Sequence, residues 1–297
     1  MERSQYTIKE AVEFEGVGIH TGQKGRVRLL PAAPNEGICF RGKKETIPAL
    51  AEYVVCTARS TTLGKGEETI ATVEHLMAAL WGMGVDNAVV EFEGPEVPIL
   101  DGSSWPFAQG ILKAGLQEQD ELAEYLEISE PCFVAHGESL VLAMPADITS
   151  YEGAVSYACD DVGVQRFRYS VYDDFSVHVA PARTFGFWEE VEQLLARGLG
   201  LGGDLSNALI FGCPKEKRVS DAQADSLALK AGWTSPSGIR LRFYDEAVRH
   251  KVLDLIGDVA LLGHPLNASI LAVRAGHSLH VEFVRKLRHG VSYVRNE

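Results

Sequence analysis

The sequence predicts an α+β protein with two domains, and three observations support this prediction. The chain has 297 residues, whereas a single domain usually takes about 100–200 residues. In each half the strand patterns come first and the helix patterns follow, which is typical of helices packed on a sheet. A polar stretch at 117–124 separates the halves, so we expect one domain over residues 1–120 and a second over 125–297.

The composition indicates a globular protein that binds a small molecule. Hydrophobic residues make up 46% of the chain and charged residues 23%. The net charge of −13 argues against a nucleic-acid partner, which requires a basic face. The five cysteines are scattered and form no Cys-x-x-Cys pair, which favours reduced thiols. Since we find neither a signal-peptide core nor an apolar run of about 18–20 residues, we expect a cytoplasmic protein without a transmembrane segment.

The sequence pattern of the first half predicts mostly strands, together with one longer helix. Thr72 fits the N-cap of this helix, with Glu74 in its first turn and an apolar face formed by Val73, Leu76, Met77 and Leu80. Strand patterns punctuated by glycine and proline cover YTIKEAVEFEGVGIHTG (6–22), GRVRLLPA (25–32), GICFRG (37–42) and NAVVEFEG (87–94). A loop with a short helix at its end (WPFAQGILKAGL, 105–116) completes this half.

The second half opens with five strand patterns and continues with helices. The strands are YLEISEPCFVA (125–135), ESLVLAMPA (138–146), EGAVSYAC (152–159), RFRYSVY (166–172) and FSVHVAPAR (175–183). A helix at 187–199, a glycine-rich loop at 198–204, a strand at 207–212 and a polar insert at 214–238 come next. The chain then predicts a helix at 246–264, a strand at 267–276 and a last helix from about Ser278.

The helix at 246–264 carries a polar edge that could bind a metal ion. His250, Asp254 and Asp258 step by four residues, so their side chains lie along one face. A neutral imidazole and a carboxylate in this arrangement can hold two corners of a Zn²⁺ site, and Asp258 could orient a third group. An isolated His-x-x-x-Asp pattern is more often a solvated helix edge. A catalytic zinc also needs about three protein ligands, so one must come from elsewhere.

His75 is the candidate for the third ligand. Glu74 precedes it and points about 100° away around the helix, so a metal bound by His75 would have Glu74 beside it as a general base. The commoner alternative is a surface histidine next to a capping glutamate. His277 follows a predicted strand on a short glycine turn, where a side chain can face a cleft. We expect His264, His280 and His289 to be structural or solvated.

The glycine-rich segment GLGLGG does not predict a dinucleotide site. Gly198, Gly200 and Gly203 satisfy the G-x-G-x-x-G spacing, but a true fingerprint follows a strand and opens a helix. This segment follows a helix and precedes a strand. The glycines therefore indicate a loop that bends or approaches a substrate closely.

Seven segments in this order identify a resemblance that covers nearly the whole chain, from residue 7 to about 290. They are GVGIHTG (16–22), TVEHL (72–76), VPILDGSSWPF (97–107), ARTFGF (182–187), GLGLGGDLSNALI (198–210), VRHKVLDLIGD (248–258) and GHSLH (276–280). Together they resemble the UDP-3-O-acyl-N-acetylglucosamine deacetylase family, a group of zinc enzymes in the lipid A synthesis of Gram-negative bacteria. The resemblance implies two α+β domains, each a two-layer sandwich of helices on a sheet, with the active site between them.

The resemblance also implies a role for each candidate residue. His75, His250 and Asp254 match the zinc ligands, and Glu74 matches the general base. His277 matches a protonated general acid or electrostatic stabiliser, which the carboxylate matched by Asp258 orients. The remaining matches are Thr184 for a hydroxyl on the oxyanion, Lys251 for a phosphate contact, Phe185 for an aromatic beside the nucleotide, and Gly203 for a substrate-binding position. An insert at about 183–213 matches a hydrophobic passage for an acyl chain.

The implied reaction is hydrolysis of the N-acetyl group of the acylated UDP-sugar, which releases acetate. Zn²⁺ is the expected cofactor, and Fe²⁺ is an alternative because two histidines and a carboxylate suit both metals. Either Glu74 or His277 would supply the proton that the leaving amine needs. We expect the chain to act as a monomer on a small-molecule substrate.

Two departures from the family pattern keep the substrate's acyl chain open. Residues 213–240 form a longer connection than expected, and CDDVGVQ (159–165) lacks a His-Pro pair before its glycine. Neither departure touches the expected zinc ligands. The alternatives are a paralogue that acts on a UDP-sugar without a 3-O-acyl chain, and a catalytically silent relative with a binding or regulatory role.

Overall fold

A computed structural model describes residues 3–213, 233–234, 240–290 and 292–293 of the chain. This part of the chain folds into α-helices and several β-sheets, which confirms the predicted α+β class. The helices are α1 (Glu74–Gly82), α2 (Trp105–Ala114), α3 (Phe175–His178), α4 (Trp188–Ala196), α5 (Glu246–Val259) and α6 (His277–Gly290).

The first half contains strands within each of the predicted strand segments, together with five strands that were not predicted. The strands of this half are β1 (Ser4–Ile8), β2 (Val12–Val17), β3 (Lys24–Pro31), β4 (Ile38–Arg41), β5 (Thr46–Pro48), β6 (Val54–Cys56), β7 (Thr62–Lys65), β8 (Glu68–Ile70), β9 (Ala88–Glu93) and β10 (Leu116–Leu122). Those that were not predicted are β5 to β8 and β10.

The strands of the second half include one long central strand. They are β11 (Leu126–Glu127), β12 (Cys132–His136), β13 (Ser139–Pro145), β14 (Ser150–Ser156), β15 (Val164–Ser170), β16 (Phe185–Phe187), β17 (Leu209–Phe211), β18 (Trp233–Thr234), β19 (Arg240–Leu241), β20 (Leu266–Val273) and β21 (Ser292–Tyr293).

Helices α1 and α2 pack on a five-stranded sheet in the first half. Its strand order is β2-β3-β9-β4-β5, antiparallel except for the parallel pair of β4 and β9. Val27 and Leu29 of β3 alternate with exposed or half-exposed neighbours and belong to the same buried cluster as Leu76 and Met77 of α1. This alternation directs one face of the sheet to the helices.

Helices α5 and α6 pack on a seven-stranded sheet in the second half. Strand β20 runs through its centre, between β13 and the parallel partner β14. Every second residue of β20 is buried, beginning with Leu266 and including Ile270. Helix α5 contacts β14 and β15, and α6 contacts β12 and β13.

Helices α1 and α5 pack directly against each other, and Gly257 makes this close packing possible. A Cβ atom at Gly257 would lie 2.1 Å from the backbone oxygen of Glu74, so a larger residue there would push the helices apart. The contact places the N-terminal turn of α1 beside the last turn of α5. The buried edge of α5 therefore faces α1, whereas a solvated helix edge was the alternative for this pattern.

Two local predictions are wrong, and in both a side-chain hydrogen bond accounts for the difference. Residues 175–183 were expected to form a strand, but α3 begins at Phe175, since the Asp174 carboxylate accepts hydrogen bonds from the Ser176 backbone N–H (2.9 Å) and hydroxyl (2.6 Å). Thr72 is not the N-cap of α1, which is Val73. The Thr72 hydroxyl instead donates to Glu96 Oε1 at 2.8 Å.

The predicted domain boundary falls on a strand. Residues Leu116–Leu122 form β10, which pairs with β1 and so continues the first half of the chain up to this point. The division into 1–120 and 125–297 stays a prediction. The polar insert expected at 214–238 lies outside the described residues apart from Trp233–Thr234. Among the helices of the described ranges, none is long and apolar enough to cross a membrane, and none of the five cysteines is in a disulfide bond.

Candidate active site and metal centre

A cavity of about 330 Å³ opens where α1, α5 and the start of α6 meet the region around α4. Its polar end is lined by Glu74, His75, His250, Asp254 and His277. Its other end is lined by aliphatic side chains, namely Ile19, Val191, Leu194, Leu195, Leu199, Leu205 and Ile210. One cavity thus joins a cluster of titratable groups to an apolar pocket.

His75, His250 and Asp254 converge at the polar end of this cavity. Their possible ligand atoms all lie within 4.8 Å of one another, and all three side chains are buried. Asp254 Oδ1 lies 3.7 Å from His75 Nε2 and 3.3 Å from His250 Nε2. The sequence-based grouping of a residue of α1 with two residues of α5 therefore agrees with the geometry.

The bonding around this trio fits a metal ion. Asp254 Oδ1 is buried and has no hydrogen-bond partner among the described residues, which is costly unless a cation occupies the space beside it. His250 Nδ1 donates to the Ala182 carbonyl at 3.1 Å, so its Nε2 presents a lone pair to the cluster. Burial and the neighbouring His250 lower the pKa of His75 to about 3, which keeps that imidazole neutral as a ligand must be. Two neutral imidazoles and one carboxylate are a donor set that Zn²⁺ and Fe²⁺ both accept.

Glu74 lies at the start of α1 beside this trio, with one carboxylate oxygen held and the other nearer the cavity. Oε2 accepts a hydrogen bond from the Thr61 backbone N–H at 2.9 Å, and Oε1 lies 3.8 Å from His277 Nε2. Burial raises the pKa of Glu74 to about 8, although the nearby His277 opposes this effect. A carboxyl group whose pKa lies near neutrality can both take up and release a proton.

Asp258 forms the centre of a second buried trio, one turn further along α5. Its Oδ2 accepts hydrogen bonds from His277 Nδ1 and His280 Nδ1, both at 2.8 Å, and its Oδ1 accepts one from the Thr61 hydroxyl at 2.6 Å. Burial alone would raise the Asp258 pKa, but the charge and hydrogen bonds of His277, with those of His280, lower it to about 2. Burial alone would lower the His277 pKa, but Asp258 and Glu74 raise it to about 10. His277 is therefore an imidazolium near neutral pH.

Lys251 places a positively charged ammonium group beside the trio of His75, His250 and Asp254. Its Nζ donates to Asp254 Oδ2 at 2.9 Å and lies 5.5 Å from the centre of the Phe185 ring. Burial alone would lower the Lys251 pKa, but the Asp254 carboxylate raises it. Phe185 also contacts the His250 ring edge-on, at 6.1 Å between ring centres. Both residues line the cavity, as a substrate-contacting pair must.

Thr184 and Gly203 also line the cavity. The Thr184 backbone is fixed on both sides, because its N–H donates to the Gly102 carbonyl at 2.7 Å and its carbonyl accepts from Leu209 N–H at 2.9 Å. Gly203 N–H donates to the Gly200 carbonyl at 3.1 Å, within the loop that follows α4. That loop leads from a helix to β17, as the sequence indicated when it argued against a dinucleotide site.

Sequence reasoning missed three residues that touch this site. Thr61 bonds to both Glu74 and Asp258, His280 bonds to Asp258, and His20 is a half-buried histidine that lines the cavity. His280 was expected to be structural or solvated, yet its ring is fully buried against a carboxylate of the site. Its position three residues after His277, on the same helical face, was the available signal. Thr61 offered no such signal, because it lies far from Asp258 in the chain.

Comparison with known sequences now connects this geometry to a family. The sequence profile of the UDP-3-O-acyl N-acetylglycosamine deacetylase family matches residues 5–289. The chain belongs to this family. It is 39% identical to the UDP-3-O-acyl-N-acetylglucosamine deacetylase of a Nostoc strain over 95% of this chain and 98% of the relative. The deacetylases of the same name from Myxococcus xanthus (40% identity, 96% and 86% coverage) and Chlamydia pneumoniae (38% identity, 97% and 98%) are similarly close.

Membership of the UDP-3-O-acyl N-acetylglycosamine deacetylase family fixes the class of the protein. It is a hydrolase that acts on an amide, and the predicted resemblance is confirmed across nearly the whole chain. A silent relative, one of the alternatives, would have no need of the metal-ligand trio, the buried glutamate and the imidazolium that remain together here.

Proposed function

We propose that the protein hydrolyses the N-acetyl amide of a UDP-3-O-acyl-N-acetylglucosamine, releasing acetate, at the step of lipid A synthesis that the family name implies. The observation that carries this proposal is the two-ended cavity. Its polar end combines a metal-ligand trio with Glu74 and His277, while its apolar end has room for an aliphatic chain. A substrate that carries an amide near an acyl chain matches both ends.

We infer that His75, His250 and Asp254 hold one divalent metal ion, with Zn²⁺ favoured and Fe²⁺ as the alternative. When bound, such an ion polarises the substrate carbonyl and lowers the pKa of water toward about 7. Lys251 and Phe185 are the proposed contacts for a phosphate and for the nucleotide, and Gly203 leaves space for the sugar.

Glu74 is the proposed general base. Its Oε2 is engaged by Thr61, so Oε1 is the oxygen left to take a proton from the attacking water. The glutamic acid so formed can also return that proton to the leaving amine. Thr184, which lines the cavity, is the proposed hydroxyl donor to the tetrahedral oxyanion, a contribution commonly worth about 3–4 kcal/mol per donor.

His277 is the proposed cation beside the reacting amide. Its Nδ1 is bonded to Asp258, which leaves Nε2–H directed toward Glu74 and the cavity. An imidazolium in this position stabilises negative charge on the oxyanion and can protonate the amine. The structure therefore offers two proton donors, Glu74 and His277, within 3.8 Å of each other.

The experiment that tests the function is a deacetylase assay with two matched substrates. Purified protein is given the 3-O-acylated UDP-N-acetylglucosamine and its unacylated counterpart, and released acetate is measured with and without a chelator. We expect acetate release from the acylated substrate, suppressed by the chelator. A clear preference for the unacylated sugar would favour the paralogue alternative, and no release from either would contradict the proposal.

Metal identity and location are tested separately. Metal analysis of protein purified without oxygen, followed by reconstitution with Zn²⁺ or Fe²⁺, distinguishes the two ions by the turnover that each restores.

The cytoplasm remains the proposed location, because five cysteines without a disulfide bond suit a reducing compartment. Gel filtration with light scattering tests the expected monomer.

A further inference from the structure

Thr61 forms hydrogen bonds with two buried carboxylates of the site, Glu74 and Asp258. It lies just before β7, and its side chain is fully buried. Its backbone N–H donates to Glu74 Oε2 at 2.9 Å, and its hydroxyl donates to Asp258 Oδ1 at 2.6 Å. These bonds join the first turn of α1 to the last turn of α5 through a single residue.

A third contact fixes Thr61 to the start of α1. The Thr61 carbonyl accepts a hydrogen bond from the backbone N–H of Val73, the residue before Glu74, at 3.2 Å. The backbone of Thr61 is thus held on both sides by the segment that carries the general base. Its hydroxyl is then aimed at Asp258 from a rigid position.

We propose that Thr61 is a positioning residue that holds Glu74 and the Asp258–His277 pair in one common geometry. This inference rests on the proposed function, because it assigns Thr61 a share in that same reaction. Thr61 is not among the residues that line the cavity, so it acts through its two partners.

The hydroxyl group is the part of Thr61 that matters for this role. Asp258 Oδ2 already accepts from two histidines, so Oδ1 depends on Thr61 as its only donor among the described residues. Without the hydroxyl, a buried carboxylate oxygen loses its partner, and the carboxylate is free to rotate. His277 would then move with it, and its Nε2 would leave the position 3.8 Å from Glu74.

The test compares Thr61→Val with Thr61→Ser in the full-length, metal-loaded enzyme. Valine keeps the shape of threonine and removes the hydroxyl, whereas serine keeps the hydroxyl. We expect Thr61→Val to lower kcat by about 10- to 100-fold with KM nearly unchanged, because such supporting residues orient catalytic groups without touching substrate. Thr61→Ser should stay within about threefold of the natural enzyme in kcat.

A matched control separates positioning from general stability. Thr149 is also buried, and its hydroxyl donates to the Leu266 carbonyl at 2.6 Å in the second sheet. Thr149→Val should lower the midpoint of thermal unfolding while leaving kcat within about twofold. Metal content and circular dichroism are measured for each variant, and Thr61→Ala replaces Thr61→Val if the latter does not fold.

Two outcomes would overturn the inference. One is a kcat for Thr61→Val within about threefold of the natural enzyme, and the other is an equal loss in Thr61→Val and Thr61→Ser. Failure of the proposed function looks different, since the natural enzyme itself would then release no acetate from the substrate.

Discussion

Two buried trios of the same composition lie one helical turn apart on α5, and they differ in how their atoms are bonded. His75, His250 and Asp254 form the first, and Asp258, His277 and His280 form the second. In the first, Asp254 Oδ1 has no hydrogen-bond partner in the described residues, and both imidazole Nε2 atoms lie beyond 3.2 Å from it. In the second, both Asp258 oxygens accept hydrogen bonds of 2.6–2.8 Å.

This difference supports the proposed division of roles, with a metal ion at the first trio and a protonated histidine at the second. An unbonded carboxylate oxygen facing imidazole lone pairs leaves a gap that a cation can fill. A carboxylate that already accepts hydrogen bonds on both oxygens instead favours the charged form of His277. Two histidines and an aspartate therefore do not define a metal centre until the partners of each atom are known.

The largest effect should come from breaking the first trio. Asp254→Asn removes the carboxylate charge, so we expect the metal content to fall from about one ion per chain toward zero. Turnover should fall by about 10,000-fold or more, because metal polarisation is worth several kcal/mol and each 1.36 kcal/mol is a factor of ten. Metal analysis and acetate release measure the two quantities.

Asp258→Asn is the matched control for this prediction. The same substitution, one turn away, should leave the metal bound and lower kcat by about 10- to 100-fold. If Asp258→Asn lost the metal while Asp254→Asn kept it, the roles of the two trios would be exchanged.

Glu74→Gln tests the carboxylate that lies between the two trios. Glutamine keeps the shape of glutamate but cannot accept the proton of the attacking water. We expect kcat to fall by about 100- to 1000-fold, within the range of a lost general base, with the metal retained. Full activity in this variant would refute the role of Glu74.

The pH dependence of turnover reports on the second trio. Because the His277 pKa is raised from 6.5 to about 10, its imidazolium stabilises the folded state fully below pH 6.5, and this contribution is lost as pH rises through 10. Turnover should decline over the same alkaline range if the cation is required. In Asp258→Asn the His277 pKa should fall, so this decline should begin at lower pH; an unchanged profile would contradict the assignment.

The smallest effect on turnover should come from His280→Ala. This variant removes one of three hydrogen bonds to Asp258 and leaves those from Thr61 and His277. Urea unfolding should show a loss of about 1.5–3 kcal/mol, the usual worth of a hydrogen bond to a charged group. Because the remaining bonds still hold His277, kcat should fall by less than about tenfold. A loss of kcat as large as that of Asp258→Asn would contradict this prediction, because His280 would then contribute as much to turnover as Asp258.

The sequence predicted the parts of the fold and site that depend on local pattern. The spacing of His250, Asp254 and Asp258 identified one face of a helix, and α5 has that face buried. The resemblance supplied His75 and His277 from other segments, which spacing alone could only suggest as candidates.

The remaining features depend on contacts between distant segments. Thr61 meets Asp258 across 197 positions of the chain, so no local pattern could pair them. The error at 175–183 has a local cause, because the alternating residues matched a strand while the capping by Asp174 favours a helix. The two trios of α5 were not distinguished by residue type, since only the hydrogen bonds separate them.

Close packing at Gly257 brings together proposed metal ligands that come from both halves of the molecule. His75 comes from α1, and His250 and Asp254 come from α5. The two helices are so close at Gly257 that a Cβ atom there would overlap the Glu74 backbone oxygen. An ion bound by all three residues would therefore link the two halves of the molecule, and its affinity would depend on how closely α1 and α5 pack. Weakening the helix contact at Gly257, next to the cavity-lining Glu74, should therefore first show as a higher dissociation constant of the metal.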